Sequence, residues 1–385
     1  MGFNDFFERE DVYGIIKNTL FDNYGADVMF TKNRSKIEQV NENYLFYSFP
    51  KLNIIFSKTT NRTLLIKFLF CNLLGNQNVY KRILSKIYIY LSIYFPQHFS
   101  SMYMVVMNNV DIQGVIYPGN KRLKIIDFES GVLTNILKSG FGKNWFENEI
   151  NFRTNTDYNF VNPITPISNV RFEEELLNGK PLARFSSVGQ KKYTVQVNSI
   201  LTQINKNAHS NKVTDYVNDI SDTIIYELDL LNDQLIVVRQ IVLFIKEYFK
   251  KKEYYINIVS SHGDFQKGNI MINKDDTIKV LDWETYGVRE EHYDYMIFNY
   301  NLRNSNKIVE NLKKVMSLKN HKLPHFHFQI NQVDLVLLFL IEDIKWQLEE
   351  TKELPNNIVS FGLMHFNNNV ILLALMEMVK SEKIN

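Results

Sequence analysis

Residues 261–284 constrain the fold more than any other stretch of the chain. They begin Ser261-His262-Gly263-Asp264-Phe265-Gln266-Lys267-Gly268-Asn269 and end Val280-Leu281-Asp282-Trp283-Glu284. Residues 269–273 and 277–281 are apolar-rich strand segments, and Lys274-Asp275-Asp276 between them is a turn. The result is a tight hairpin with Asp264 and Asn269 at its entrance and Asp282 at its exit. That spacing suits phosphoryl transfer. A γ-phosphate already carries concentrated negative charge, so attack on it needs cations and a positioned nucleophile more than covalent chemistry. Asp264 would orient a substrate hydroxyl or accept its proton. Asn269 and Asp282 would present oxygens to magnesium, a hard ion.

Elsewhere the pattern is readable from about residue 104. Residues 105–107 and 115–117 read as strand pieces, followed by the turn Pro118-Gly119-Asn120. Residues 123–128 and 132–138 are strands around Glu129-Ser130-Gly131. Residues 144–153 read as a helix, and 163–167 and 170–177 as further strands. The second half is largely helical: Val213, Val217, Ile220 and Ile224 recur at helical spacing, as do Leu235, Val238, Val242, Ile245 and Phe249. Helices are also expected over 333–348 and 369–379. The first hundred residues mix short apolar runs, such as Leu45-Phe46-Tyr47 and Leu64-Leu65-Ile66, without a clean period.

These residues together resemble the aminoglycoside phosphotransferase and choline kinase family, distant relatives of the protein kinases. The family motif is His-Gly-Asp, four variable residues, Asn, then an Asp ending a strand. His262, Gly263, Asp264, Asn269 and Asp282 match it. The resemblance implies an α+β, bilobal, protein-kinase-like fold, with a small sheet-plus-helix N-lobe, a hinge near residues 174–180 and a mostly helical C-lobe. It divides the chain into an N-terminal extension or extra subdomain (1–105), an N-lobe (106–178) and a C-lobe carrying the catalytic hairpin (179–385). It implies an ATP-dependent kinase acting on a hydroxyl of a small molecule, an amino alcohol, aminoglycoside or sugar, with ATP and Mg2+ as cofactors. By the same resemblance Asp264 is catalytic, and Asn269 and Asp282 hold the metal. Lys138 sits where the family has its phosphate-binding lysine, and Glu149 where it has that lysine's acidic partner, with Glu147 competing. Gly119 belongs to the phosphate loop, the backbone of Glu175, Leu176 and Leu177 meets the adenine, and Asp294 braces the catalytic region. Position 266, often His in relatives, is Gln266. The alternative is a catalytically degenerate kinase fold that binds nucleotide or a partner.

Composition narrows the rest. A chain of 385 residues is expected to form two or three domains. Its 44 Lys and Arg nearly balance its 42 Asp and Glu, so net charge gives no case for a nucleic-acid partner. The balance hides a local feature: residues 44–110 contain no Asp or Glu, but do contain Lys51, Lys58, Arg62, Lys67, Lys81, Arg82 and Lys86. Three readings stand for this block: a core-forming subdomain with solvated lysines, contact with an anionic glycan or sugar-phosphate portion of the substrate, or peripheral contact with an anionic membrane. The single cysteine, Cys71, excludes an intrachain disulfide and is expected to be buried among Phe70 and Leu73. No apolar run is long enough to span a membrane, and the opening residues lack a signal-peptide pattern, so a cytoplasmic location is expected. His321, His325 and His327 flank Pro324 in an expected exposed loop. Glu284, Glu290 and Glu291 would either attract a cationic acceptor or form a solvated face.

Overall fold

The computed structural model describes residues 11–38, 40–74, 79–108, 110–112, 114–230, 235–303, 307–317 and 330–355. It contains two compact units, Met1–Lys192 with Ile270–Glu284 and Tyr193–Asn269 with Thr285–Asn385. Both combine antiparallel sheets with helices, as the α+β expectation requires.

Among the described residues the first unit begins with helix α1 (Val12–Tyr24), which starts where Asp11 accepts the Gly14 N–H and stops at the left-handed Gly25. Strands β1 (Val28–Thr31), β2 (Leu45–Phe49) and β3 (Ile54–Ser57) follow, then helices α2 (Arg62–Leu73) and α3 (Val79–Tyr94) and strand β4 (Met102–Val106). Next come β5 (Val115–Pro118), β6 (Arg122–Asp127), β7 (Val132–Leu137), helix α4 (Asn144–Asn155), β8 (Ile164–Ser168), β9 (Arg171–Glu175) and β10 (Gly179–Pro181). The first nine strands make one sheet in the order β1-β4-β2-β3-β5-β6-β7-β9-β8. The first hundred residues and the later strands meet at β3 and β5, where Ile55 faces Ile116 and Phe56 faces Val115.

Strands β2 and β3 are buried along their whole length. Alternate residues feed opposite cores. Phe46, Ile55 and Met104 pack with Val12, Ile16 and Leu20 of α1. Tyr47, Phe49, Ile54 and Phe56 pack with Leu65, Leu69, Ile89 and Ile93 of α2 and α3. Each large side chain so buried contributes about 1.5–3 kcal/mol. A strand covered on both faces shows no polar–apolar alternation, which explains the missing period. Cys71 is exposed, against expectation. It lies two residues past Leu69, which α2 turns into the core, so the helical rotation carries it outward.

The second unit takes over within helix α5 (Ser187–Ile204), then runs through β11 (His209–Lys212), α6 (Val213–Leu230), α7 (Ile236–Phe249) and β12 (Tyr255–Ser261). Strands β13 (Ile270–Asn273) and β14 (Ile278–Val280) belong to the first unit, where they form a three-stranded sheet in the order β10-β13-β14. Strand β15 (Gly287–Glu290) pairs with β12, which pairs with β11. This sheet was not expected from the sequence, because His209-Ser210-Asn211-Lys212 has no apolar residue to mark a strand. Helices α8 (Tyr293–Tyr300), α9 (Ile308–Met316) and α10 (Gln332–Glu353) follow among the described residues. Val217, Ile224, Val242 and Ile245 pack with Leu338 and Ile341 of α10 in one core. The helix expected over 369–379 and the loop with His321, His325 and His327 lie outside the described residues.

Candidate functional site

In the second unit the chain leaves β12 through Ser261, His262 and Gly263. Gly263 has φ 83°, and a Cβ there would lie 2.5 Å from the Thr285 carbonyl oxygen, so only glycine fits. Asp294, in the first turn of α8, accepts hydrogen bonds from Ser261 Oγ at 2.9 Å, the His262 N–H at 2.6 Å and the Gly263 N–H at 3.0 Å. It is therefore a brace for the loop. Buried His262 accepts the Asp264 N–H on Nδ1 at 3.2 Å.

The loop so held presents the Asp264 carboxylate. Its Oδ2 accepts from Gln266 Nε2 at 2.8 Å and Asn269 Nδ2 at 2.9 Å. Its Oδ1 accepts from Arg303 Nε at 3.1 Å. Asn269 Nδ2 also donates to the Asp264 carbonyl at 3.0 Å, so its nitrogen is committed and Oδ1 is the end a cation can use. Arg303 was not expected from the sequence, since it lies 39 residues from Asp264 and no local pattern marks it. It also donates to the Gly263 carbonyl and the Tyr293 hydroxyl, each at 2.8 Å, pairs with Asp343 and stacks over Trp346. Burial alone would lower the guanidinium's pKa, but Tyr293, Asp343 and Asp264 raise it, so Arg303 stays charged.

In the first unit, Asp282 follows β14 with φ 59°, the left-handed region. Aspartate tolerates that region better than most residues, yet the conformation carries strain, and strained backbone gathers at functional positions. Trp283 beside it is buried, stacks on Phe152 at 4.5 Å and donates from Nε1 to the Val280 carbonyl, so it packs the core.

The buried acid of α4 is Glu149, while Glu147 pairs near the surface with Lys143. Glu149 does not bind Lys138. Its oxygens accept from Arg122 Nη2 at 2.7 Å and Arg153 Nη1 at 2.8 Å. Strand alternation gives the reason. Arg122 faces Leu137 across β6 and β7, so the two share a face of the sheet. Lys138, one residue on, has the parity of Ile136, which packs on the α1 face. Lys138 instead binds the β5–β6 turn: its ammonium donates to the Asn120 carbonyl at 3.1 Å and its N–H to the Lys121 carbonyl at 3.0 Å. In that turn the Gly119 N–H donates to the Arg122 carbonyl at 2.8 Å, and a Cβ on Gly119 would sit 3.0 Å from the same oxygen.

Arg122 also pairs with Glu284 at 2.6 Å and lies 3.8 Å from Asp282. Burial acts to raise the carboxyl pKa of Glu149, but Arg122 and Arg153 outweigh it and hold the group below its usual value. Burial likewise acts to raise Glu284, and Lys121 and Arg122 bring it down. Glu284 is thus a partly exposed but compensated charge. Glu290 and Glu291 are buried, bonded to His292 and Asn257. Of the segment expected to meet adenine, the Leu176 N–H is taken by the Gly131 carbonyl and the Glu175 carbonyl by Asn162 Nδ2. The Leu177 N–H and C=O have no hydrogen-bond partner among the described residues.

No protein-family model matches the chain, and no curated protein does. Among solved structures, the chain is similar to choline kinase LicA from Streptococcus pneumoniae, with 13% identity, a TM-score of 0.46, and 67% of this chain and 91% of that one covered. It is similar to an ethanolamine kinase of Plasmodium vivax at 15% identity and a TM-score of 0.42, over 84% of this chain and 94% of that one. A thermostable mutant of aminoglycoside phosphotransferase APH(4)-Ia matches at 9% identity and a TM-score of 0.45, over 69% and 94%.

Proposed function

We propose that the protein is an ATP-dependent small-molecule kinase that moves the γ-phosphoryl group of ATP to an alcohol. The observation that carries this reading is the Asp264 carboxylate, held on both oxygens by Arg303, Gln266 and Asn269 in a loop braced by Asp294. In the transfer, the acceptor oxygen forms a bond to the γ-phosphorus and the bridging P–O bond to ADP breaks. The hydroxyl proton passes to Asp264 or, with Asp264 orienting the hydroxyl, to water. Asn269 and Asp282 supply the hard oxygen donors that suit Mg2+, which would neutralise phosphate charge when bound. Arg122 is the cation Glu149 holds, and it takes the phosphate-facing role expected of Lys138. Lys138 fixes the backbone of the Gly119 turn. Leu177 offers its backbone to the adenine. Residues 106–178 then serve the nucleotide, 179–385 the acceptor and the chemistry, and 1–105 a role particular to this protein.

The test is ATP consumption by the purified protein with amino alcohols, aminoglycosides and sugars as acceptors. Turnover with at least one acceptor is expected. Asp264→Ala should lower it about a thousandfold while ATP binding persists. Full activity in that variant overturns the mechanism. Magnesium-dependent ATP binding with no consumption across the panel assigns the degenerate, binding-only reading instead.

A further inference from the structure

Helix α3 buries Ile89 and Ile93 beneath the sheet and turns an apolar face outward. On that face Tyr80 is 77% exposed and Leu84 66%, and Ile83, Ile87, Tyr90 and Tyr94 are exposed as well. Positions 80, 84, 87 and 94, with 83 and 90, fall on one helical stripe, opposite Ile89. Lys81 and Lys86 fall at its two edges. Single exposed apolar residues need no explanation, but a contiguous face of this length marks an interaction site.

The charge around the face selects its occupant. Lys81, Arg82 and Lys86 lie within the acid-free stretch 44–110, and Arg62 and Lys86 reach over the rings of Tyr94 and Phe70. A second copy would bring the same basic margin against itself, and like charges repel. An anionic lipid surface complements it. Tyrosine has an apolar ring and a polar tip, and lysine buries its stem while its ammonium reaches water or phosphate, which suits both to a membrane interface. Among the described residues no helix is long and apolar enough to cross a membrane, so such a helix would lie in the plane of the surface. We infer that α3 docks the protein on anionic membrane, with its apolar face at the headgroup–acyl boundary and Lys81 and Lys86 on lipid phosphates. This inference is independent of the proposed kinase activity.

Flotation of the full chain with phosphatidylcholine vesicles, with or without about one-third phosphatidylglycerol, tests it. Binding to the anionic vesicles should exceed binding to neutral ones about tenfold and weaken as salt rises. Leu84→Ser with Ile87→Ser should lower it about tenfold while the circular dichroism spectrum stays that of the parent. Lys81→Glu with Lys86→Glu, which keeps the apolar face, should abolish the preference for anionic lipid. Equal binding to both vesicles, or a serine variant that binds like the parent, overturns the inference. So does a concentration-dependent dimer that the serine substitutions dissolve without any vesicle binding, which would assign the face to a second copy.

Discussion

Glu149 in the first unit and Glu342 in the second are both buried, at 0% and 4% exposure. Their ionisation runs in opposite directions. Glu149 lies between the guanidinium groups of Arg122 and Arg153 and is held below the usual carboxyl range. Glu342 accepts from the Glu290 N–H at 2.7 Å and from the Tyr216 hydroxyl, both neutral donors. Burial, reinforced by the charge of Glu290, pushes it up to about 8. Its neighbour Asp343 is paired with Arg303. Burial costs each acid its hydration; the partner decides whether the acid keeps its charge. Carboxylates paired with arginine, Glu149 and Asp264, mark the two places where nucleotide chemistry is proposed, and Glu342 lies on α10 in the helical unit.

The strongest way to break the contrast is Arg122→Ala. It removes the cation that faces Glu149, Glu284 and Asp282, and should cost about 3–5 kcal/mol in denaturant unfolding. Arg122→Lys, a single ammonium in place of a fork, should restore only part of that loss. An alanine variant as stable as the parent would mean that Glu149 does not depend on its arginine. Next in size, Arg303→Lys should lower turnover roughly tenfold, because one ammonium cannot hold the Asp264 carboxylate and the Gly263 carbonyl as the guanidinium fork does. A lysine variant that turns over like the parent would separate Arg303 from the placement of Asp264.

The smallest effect is the most diagnostic of the comparison. Glu149, lowered in the folded state, contributes stability that is present above about pH 4.5 and lost as pH falls through its folded value. Glu342, raised in the folded state, contributes stability that is complete below about pH 4.5 and lost as pH rises through about 8. Glu342→Gln should therefore gain on the parent as pH rises, by about 2–4 °C in Tm between roughly pH 6 and 9. A gap that stays constant with pH would place Glu342 among the ionised acids.

The hairpin of β13 and β14 was legible because its parts are local: two apolar-rich segments flank the turn Lys274-Asp275-Asp276. Long helices such as α6, α7 and α10 were legible through their period. What escaped depends on long-range geometry. Arg303 reaches Asp264 from a distant turn, and the cation beside Glu149 comes from β6 because alternation places Lys138 on the opposite face. Glu290 and Glu291 read as surface charge but are buried by the packing around β15. The first hundred residues were opaque because two cores share each strand.

That shared sheet bears on any attempt to trim the chain. A cut at residue 105 would strip β3 from β5 and bare a row of unpaired N–H and C=O groups along Val115 and Ile116. It would also remove α1, which covers Ile125 and Ile136, and α2 and α3, which cover Val115 and Ile126. The remainder would present a sticky edge between two uncovered faces, the arrangement that drives strand-by-strand aggregation. Deletion, the usual way to ask what an added segment does, would here report on solubility, and the role of residues 1–105 has to be sought by changing its surface one side chain at a time.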